Sequence, residues 1–189
     1  MKKEDAMLVA EFQGGNQRAF DELASRYKRR IYGIAYKMTD NHEDALDVSQ
    51  EVFIRVYKSI SKFKGRSSFN TWLYRITVNY CINYLKNRSR HKHLPFDETM
   101  EVSEGRSLVS EWWSSPQKAL ENKEFQQDLA FAIGSLPVRQ RTVFVLRHLE
   151  GLSHKEIAGI LRCSIGNVKA NLFRAIRKLR DRLKEYVEG

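Results

Sequence analysis

Proline is nearly absent. Pro95, Pro116 and Pro137, with ten glycines, are the only strong helix breakers in 189 residues. Pro removes a helical hydrogen bond and clashes with the preceding turn, and Gly loses the most backbone entropy on ordering, so so few of either favours helix over strand. Hydrophobic residues make up 42% and charged residues 30%, enough apolar surface to bury a core and exclude global disorder. No run approaches the roughly 18 apolar residues of a membrane span, and Met1-Lys2-Lys3-Glu4-Asp5 leads into no secretory apolar stretch. Cys81 and Cys163 make neither a disulfide framework nor a metal knuckle. The expected fold class is all-α, and the expected location is cytoplasmic.

The net charge of +10 and pI near 9.7 point to a polyanionic partner, most often nucleic acid. The charge is uneven. Residues 1–94 hold 18 Lys/Arg against 10 Asp/Glu, residues 95–120 hold 2 against 5, and residues 121–189 hold 13 against 8. An acidic, aperiodic stretch with prolines near both ends therefore separates two basic blocks. It reads as a flexible linker over 95–115 between an N-terminal helical domain, 1–94, and a C-terminal one, 116–189. A long structured loop within one domain is the alternative. From Val52 to Phe96 there are ten Lys/Arg, nine aromatics and no acid, whereas Asp40, Glu43, Asp44, Asp47 and Glu51 cluster just upstream. An acidic patch followed by a basic, aromatic surface suggests two different partners.

Phe20, Leu23, Ala24, Tyr27, Ile31, Ile34, Ala35 and Met38 recur at helical spacing as one amphipathic stripe. A second helix begins near Asn41 and buries Ala45, Val48, Val52, Val56 and Ile60. Asp47, Gln50, Glu51 and Ile54 then fall together on its outward side, because helical neighbours lie three and four apart. An exposed Ile beside two carboxylates and an amide has the character of a docking patch; an ordinary solvated face is the alternative. After Ser67-Ser68 a third helix runs from Phe69 to Lys86, apolar on two sides: Phe69, Trp72, Leu73, Ile76 and Tyr80 on one, Tyr74, Val78, Cys81 and Leu85 on the other. Its second side could hold unstacked bases, since aromatics beside Arg/Lys grip single strands, or it could be the centre of a bundle. Lys86, Arg88, Arg90 and Lys92 fit phosphate contact.

Beyond the linker, Ser115-Pro116 has the form of a helix start, and Leu120, Leu129, Ile133 and Leu136 continue at helical spacing. Leu136-Pro137 restarts the chain, and Val138, Val143, Phe144, Leu146 and Leu149 fill a helix ending at Gly151. Ser153 and Glu156 have capping-box spacing, with Leu152 and Ile157 as a hydrophobic staple. Arg162-Cys163-Ser164 is a tight turn with Ser164 as the next N-cap, and Ile165, Val168, Leu172, Ile176, Leu179 and Leu183 carry the last helix. Two helices joined by about three residues, the second basic, make a helix-turn-helix. Such a helix anchored through Val168 and Leu172 points Asn167, Lys169, Ala170, Asn171, Phe173 and Arg174 outward. Arg and Lys pair with guanine, Asn pairs bidentately with adenine, and Phe touches a thymine methyl. A structural hairpin with a basic face is the alternative.

Little supports catalysis. His42 in the acidic cluster lacks Glu-x-x-His partners and a calcium-loop Gly, and His91-x-His93 lacks spaced Cys or His. No phosphate-cradling Gly loop and no paired nucleophile and base occur. No cofactor, metal or small-molecule substrate is expected.

The stretch Phe63-Lys64-Gly65-Arg66-Ser67-Ser68-Phe69-Asn70-Thr71-Trp72-Leu73-Tyr74-Arg75-Ile76-Thr77-Val78-Asn79, with Asp47-Val48-Ser49-Gln50-Glu51-Val52-Phe53, resembles region 2 of the bacterial extracytoplasmic-function sigma factors. Leu136-Pro137 through Leu152-Ser153-His154-Lys155-Glu156-Ile157-Ala158 and the final helix resemble region 4. The likeness runs from about Gln17 to Lys184 with both regions in order. It implies a factor that binds core RNA polymerase, directs it to promoters and assists −10 melting. It places Asp47, Gln50 and Glu51, with Ile54 as apolar anchor, on the clamp coiled coil of the largest polymerase subunit. Phe63, Arg66, Ser68, Phe69, Trp72, Arg75 and Asn79 would meet the −10 element. Ser164, Asn167, Lys169, Ala170, Asn171, Phe173, Arg174, Arg177 and Lys178 would meet duplex −35 DNA, with the polymerase flap nearby and the linker in a basic channel near the RNA path. An anti-sigma factor, often membrane-bound, would cover these surfaces.

This chain departs from the family's usual pattern in four places. Arg66 stands where an acid is frequent, Arg162 where Gly is common, and Asn167 where Thr is common. Lys169-Ala170-Asn171 stands where Lys or Arg, Ser, Arg is frequent. A stand-alone helix-turn-helix repressor or activator is the competing function and gives Asp47, Gln50 and Glu51 no role; a nonspecific RNA-binding module, a third, implies single-strand affinity without sequence preference.

Overall fold

The computed structural model describes residues 4–91 and 123–187. The expected linker at 95–115 and the helix start at Ser115-Pro116 lie outside the described residues, as do Leu120 and Lys92. The described residues are helical with no strand, and the chain separates into two compact units, Met1–Leu94 and Pro95–Gly189.

The first unit contains α1 (Asp5–Gln13), α2 (Arg18–Thr39), α3 (His42–Ile60) and α4 (Phe69–His91). α2 buries Leu23, Tyr27, Ile31, Ile34, Ala35 and Met38, but Phe20 and Ala24 of the expected stripe are only half-buried. They sit where α2 faces the open side of α3. α3 buries all five residues of its expected stripe, Ala45, Val48, Val52, Val56 and Ile60. In a protein most of a helix's stability comes from packing its amphipathic face, so this burial against α2 and α4 keeps α3 folded. The turn before it has Asp40 in the left-handed region at φ 53°, and the Asn41 side chain then accepts the Asp44 amide at 2.9 Å as N-cap.

α4 starts at the Ser68 hydroxyl, which accepts the Thr71 amide at 3.2 Å. It is buried along Phe69, Leu73, Tyr74, Val78 and Cys81. Thr77, buried on the same side, returns its hydroxyl to the Leu73 carbonyl at 2.9 Å. Trp72, Ile76 and Tyr80 are half-buried, so the other apolar side is only partly covered within the unit.

α1 has no counterpart in the periodicity reading. It buries only Leu8 and Val9 and is held by polar ties. Asp5 accepts from the Tyr27 hydroxyl and pairs with Arg26. The Gln13 amide nitrogen donates at 3.0 Å to the carbonyls of both Ile60 and Phe63. Burial first, then the Asp5 bond, raises the Tyr27 phenol above its ordinary value.

The second unit contains α5 (Lys123–Gly134), α6 (Val138–Phe144), α7 (His154–Leu161), α8 (Ile165–Arg182) and α9 (Lys184–Val187). The single helix expected to run to Gly151 instead widens after α6 into a π-helical turn, Val145–Leu149. The wider turn buries both Val145 and Leu146 and leaves Leu149, expected as a core residue, 48% exposed. Gly151 at φ 69°, the Leu152 amide on the Leu146 carbonyl at 3.1 Å and Arg147 on the Leu152 carbonyl at 2.9 Å fix the exit. Arg141 is buried and donates to the carbonyls of Gly134 and Leu136, closing the end of α5.

The Ser153–Glu156 capping box forms, with Leu152 and Ile157 buried behind it. Glu156 is held below the usual carboxylate range by the Ser153 hydroxyl and amide. Ser164 accepts the Asn167 amide at 3.1 Å and starts α8. Val168, Leu172, Ile176, Leu179 and Leu183 are buried as expected, whereas Ile165 in the first turn faces outward. Arg162 ends α7 in the left-handed region at φ 53°, a conformation that disfavours any residue with a Cβ. Replacing Arg162 with Gly is therefore expected to stabilise the unit by about 1 kcal/mol. A urea midpoint that fails to rise would contradict this.

Candidate functional site

The open side of α3 forms a groove with α2, about 870 Å³ in volume. Leu46, Gln50, Phe53, Ile54 and Tyr57 recur at helical spacing along one wall, and Phe20, Ala24 and Lys28 line the other. Leu46 is 48% and Tyr57 44% exposed, and Ile54 is exposed beside them. A patch of large apolar side chains rimmed by charge is the usual mark of a protein-binding surface. Phe12, Phe20 and Tyr57 close one end, with ring centroids 5.0–5.7 Å apart. Asp47 and Lys28 put opposite charges on the two walls.

Three of the four expected docking residues, Asp47, Gln50 and Ile54, meet in this groove. Glu51 occupies the flank toward α4. It pairs with Arg55 at 3.0 Å, whose guanidinium lies 4.7 Å from the centroid of the Tyr80 ring. The Tyr80 phenol is raised by burial first and by Glu51 next. Leu46, Phe53, Tyr57 and Phe20 were not expected in the site. The signal for Leu46, Phe53 and Tyr57 is a second apolar stripe on α3 beside the buried one, and Phe20 belongs to the apolar stripe of α2.

Asp44 serves the fold. It accepts from the Tyr84 hydroxyl at 2.7 Å and pairs with Arg88, and the bond to Asp44, with burial, pushes the Tyr84 phenol up to about 12. Arg88, expected to meet phosphate, is thus neutralised across the α3–α4 seam.

The loop between α3 and α4 carries exposed Lys62, Lys64, Arg66 and Ser68, turning through Gly65 at φ 66°. Phe69, expected as a direct contact, is only 5% exposed. It packs edge-on against Tyr27 at 5.6 Å and Phe63 at 6.2 Å, because it opens α4 on the side that faces α2. The accessible rings are Phe63 and Trp72, 5.0 Å apart and both half-buried. Arg75 and Asn79 follow Trp72 on the same helical face, half-buried and exposed. Two rings under a cationic loop can take stacked bases while the charges hold phosphates.

On α8, Lys169, Arg177 and Lys178 are exposed, and Asn167, Ala170, Phe173 and Arg174 are half-buried. Ser164 is exposed with its hydroxyl committed to the cap. Asn171, expected to point outward, is 7% exposed and donates to the Asn167 carbonyl at 2.9 Å. It lies three residues from Val168 and four from Ala175, both buried, so it faces the core and offers no amide edge to a base.

A cluster of nitrogen bases beside α8 was also unexpected. Arg147, His148 and His154 converge where the π-helical turn meets the start of α7. Burial first, then Arg147 and His154, lowers His148 below its ordinary value; burial, then Arg147 and Lys169, lowers His154. Among the described residues, no group of three or more His, Cys, Asp or Glu could hold a metal ion, and no helix is long and apolar enough to cross a membrane.

Residues 23–91 match the family Sigma-70 region 2, and residues 126–179 match Sigma-70, region 4. The chain is 36% identical over 179 residues to the RNA polymerase sigma-H factor of Pseudomonas aeruginosa, covering 92% of this chain and 91% of that one. It is 34% identical over 187 residues to the ECF RNA polymerase sigma-E factor of Escherichia coli, covering 97% and 96%. Among solved structures, CnrH in complex with the cytosolic domain of CnrY superposes with a TM-score of 0.68 at 25% identity, covering 96% and 97%.

Both lowered histidines bind fewer protons folded than unfolded. Their contribution to stability is complete above the ordinary value of 6.5 and is lost as pH falls from there through their lower folded values. The urea midpoint should decline below about pH 6.5, and less steeply in His148→Gln. Equal slopes in the two proteins would remove His148 from the account.

Proposed function

The chain belongs to the extracytoplasmic-function sigma factors of the sigma-70 family, and from that premise we propose how its surfaces divide the work of initiation. As a sigma factor it binds core RNA polymerase, directs it to promoters and assists opening at −10. The α2–α3 groove is the handle for core polymerase. Its apolar floor of Leu46, Ile54 and Tyr57 takes a helical surface such as the clamp coiled coil, and Asp47 and Gln50, with Glu51 on the flank, set its orientation. The groove carries this reading: no described residue of the unit covers it, and a repressor acting alone on duplex DNA has no use for it.

The Phe63–Trp72 shelf, under Lys62, Lys64 and Arg66 and beside Arg75 and Asn79, takes the −10 strand. Opening a base-pair step costs about 1.4 kcal/mol, and stacking on an aromatic returns roughly 1–3 kcal/mol per base. Two accessible rings balance only a step or two, so polymerase must contribute to opening the rest. Phe69 and Asn171 act from behind these surfaces as packing residues. Lys169, Arg174, Arg177 and Lys178 of α8 bind the −35 duplex, chiefly through phosphates, with Asn167 and Phe173 nearest the base edges and the polymerase flap alongside.

Residues 1–94 thus serve docking and −10 recognition, 95–115 link, and 116–189 serve −35 recognition. The protein acts by binding rather than catalysis, in the cytoplasm. An anti-sigma factor that covers these surfaces is part of the same reading, and CnrH, which this chain resembles, is likewise held in a complex, with the cytosolic domain of CnrY.

Charge reversal of Asp47 and Glu51 together is expected to weaken core association at least about tenfold while low-salt duplex binding persists. Unchanged core affinity in a pull-down titration would refute the handle. Trp72→Ala should leave closed complexes intact but lose roughly 1–3 kcal/mol of opening, read as weaker permanganate reactivity at −10; full reactivity would exclude stacking there.

A further inference from the structure

Gln13 is the last residue of α1, and its backbone is placed independently of the loop between α3 and α4. Phe12, one residue before it, packs its ring on Phe20 of α2 and Tyr57 of α3, with centroids 5.7 and 5.4 Å away. Leu8 and Val9 are buried one turn earlier. After Gln13 the helix closes: the Gly14 amide donates to the Ala10 carbonyl at 2.9 Å and the Asn16 amide to the Glu11 carbonyl at 3.0 Å, with Gly15 at φ 100° between them. The Gln13 side chain is exposed, yet its amide nitrogen is saturated. A carboxamide nitrogen carries two hydrogens, and this one has two acceptors, the carbonyls of Ile60 and Phe63, each at 3.0 Å. Ile60 ends α3, and the last carbonyls of a helix have no partner within it. The Ile60 carbonyl takes the Phe63 amide at 3.0 Å as well as Gln13. The backbone of Phe63 is thus held on both sides, its amide by Ile60 and its carbonyl by Gln13. Among the described residues, Lys64, Gly65 and Arg66 make no hydrogen bond, and order resumes at Ser68, whose hydroxyl accepts the Thr71 amide at 3.2 Å.

Phe63 carries one of the two accessible rings of the −10 shelf, 5.0 Å from Trp72 and 6.2 Å from Phe69. We propose that Gln13 is a positioning residue for −10 opening: its double donation keeps the Phe63 ring beside Trp72 in the pose that receives an unstacked base. The proposal rests on reading the Phe63–Trp72 shelf as the −10 site, and Gln13 acts through Phe63 without meeting a nucleotide. A segment that spends only part of its time in the competent pose captures its ligand less well by that fraction. Each bond that favours the pose therefore raises capture by up to about fivefold. The chemistry needs donors. Gln13→Met keeps the length without a donor, Gln13→Glu turns acceptors toward two carbonyls, and Gln13→Lys returns N–H donors at similar reach.

The test combines the full chain with core polymerase on the promoter fragment that wild-type holoenzyme transcribes most strongly among genomic fragments. Closed-complex affinity is read by filter binding in the cold, and the opening rate by the growth of permanganate-reactive thymines at −10. Gln13→Met and Gln13→Glu should keep the closed-complex affinity and open about five- to tenfold more slowly. Gln13→Lys should recover most of the rate. Gln17→Lys added to Gln13→Met supplies the same charge at an exposed residue nearby and should recover none. A loss of folded protein alone lowers closed complexes and the extent of opening together, leaving the rate of the remainder unchanged. That pattern, or wild-type rates in Gln13→Met and Gln13→Glu, overturns the proposal. In a Phe63→Ala background Gln13→Met should cost little further, since the ring it positions is gone; additive losses would show Gln13 acting elsewhere and also overturn it. Phe63→Ala separates the two readings. Slow opening in Phe63→Ala with a normal rate in Gln13→Met upholds the shelf and sinks the proposal, and normal opening in Phe63→Ala sinks both.

Discussion

The first unit depends on α3 being buried from one side and withheld on the other. Ala45, Val48, Val52, Val56 and Ile60 are short or branched, fully buried, and bring α2 and α4 close. Because those five fill the core, the second stripe of Leu46, Phe53, Ile54 and Tyr57 lines an open groove, with Tyr57 alone of the four packed on the rings of Phe12 and Phe20 among the described ring contacts. Exposed apolar surface of this kind contributes nothing to folding alone. The proposed role as a handle for polymerase would give that surface its partner.

Charge is sorted with equal economy. Several carboxylates are committed to the fold: Asp5 ties α1 to α2, Asp44 ties α3 to α4, and Glu156 closes the α7 cap. The cations are less engaged. Lys62, Lys64, Arg66, Lys169, Arg177 and Lys178 stand exposed on the nucleotide-facing loop and helix. Exposed positive charge thus stands on both of those surfaces, while Asp5, Asp44 and Glu156 are used where helices join or begin. Asp47 instead lines the α2–α3 groove proposed to take protein.

Period is what a single helix writes into its own sequence, and the parts of this fold that follow period are legible there. The five buried positions of α3, the caps at Asn41, Ser153 and Ser164, and the buried stripe of α8 all come from local spacing. What escapes is whatever a distant partner decides. α1 is fixed by Asp5 meeting Tyr27 and by Gln13 reaching Ile60, pairings with no periodic trace. Asn171 sits at a core position of α8 yet reads as an outward amide, because polarity suggests exposure and only the bond to the Asn167 carbonyl permits burial. Phe69 is expected as a contact only through the family resemblance; Tyr27 of another helix takes it inward. In the groove, attention to Asp47, Gln50 and Glu51 hides the apolar stripe, since hydrophobic residues on a helix ordinarily mean core.

Gln13 holds two carbonyls at once, one at the end of α3 and one at Phe63, the base of the nucleotide-facing loop. The foot of that loop is thereby anchored to a separate helix, while its tip, Lys64-Gly65-Arg66, projects into solvent. Relatives with this scaffold could re-letter the tip for other promoters like type set in a fixed frame, and a change in α1 would blur every letter at once.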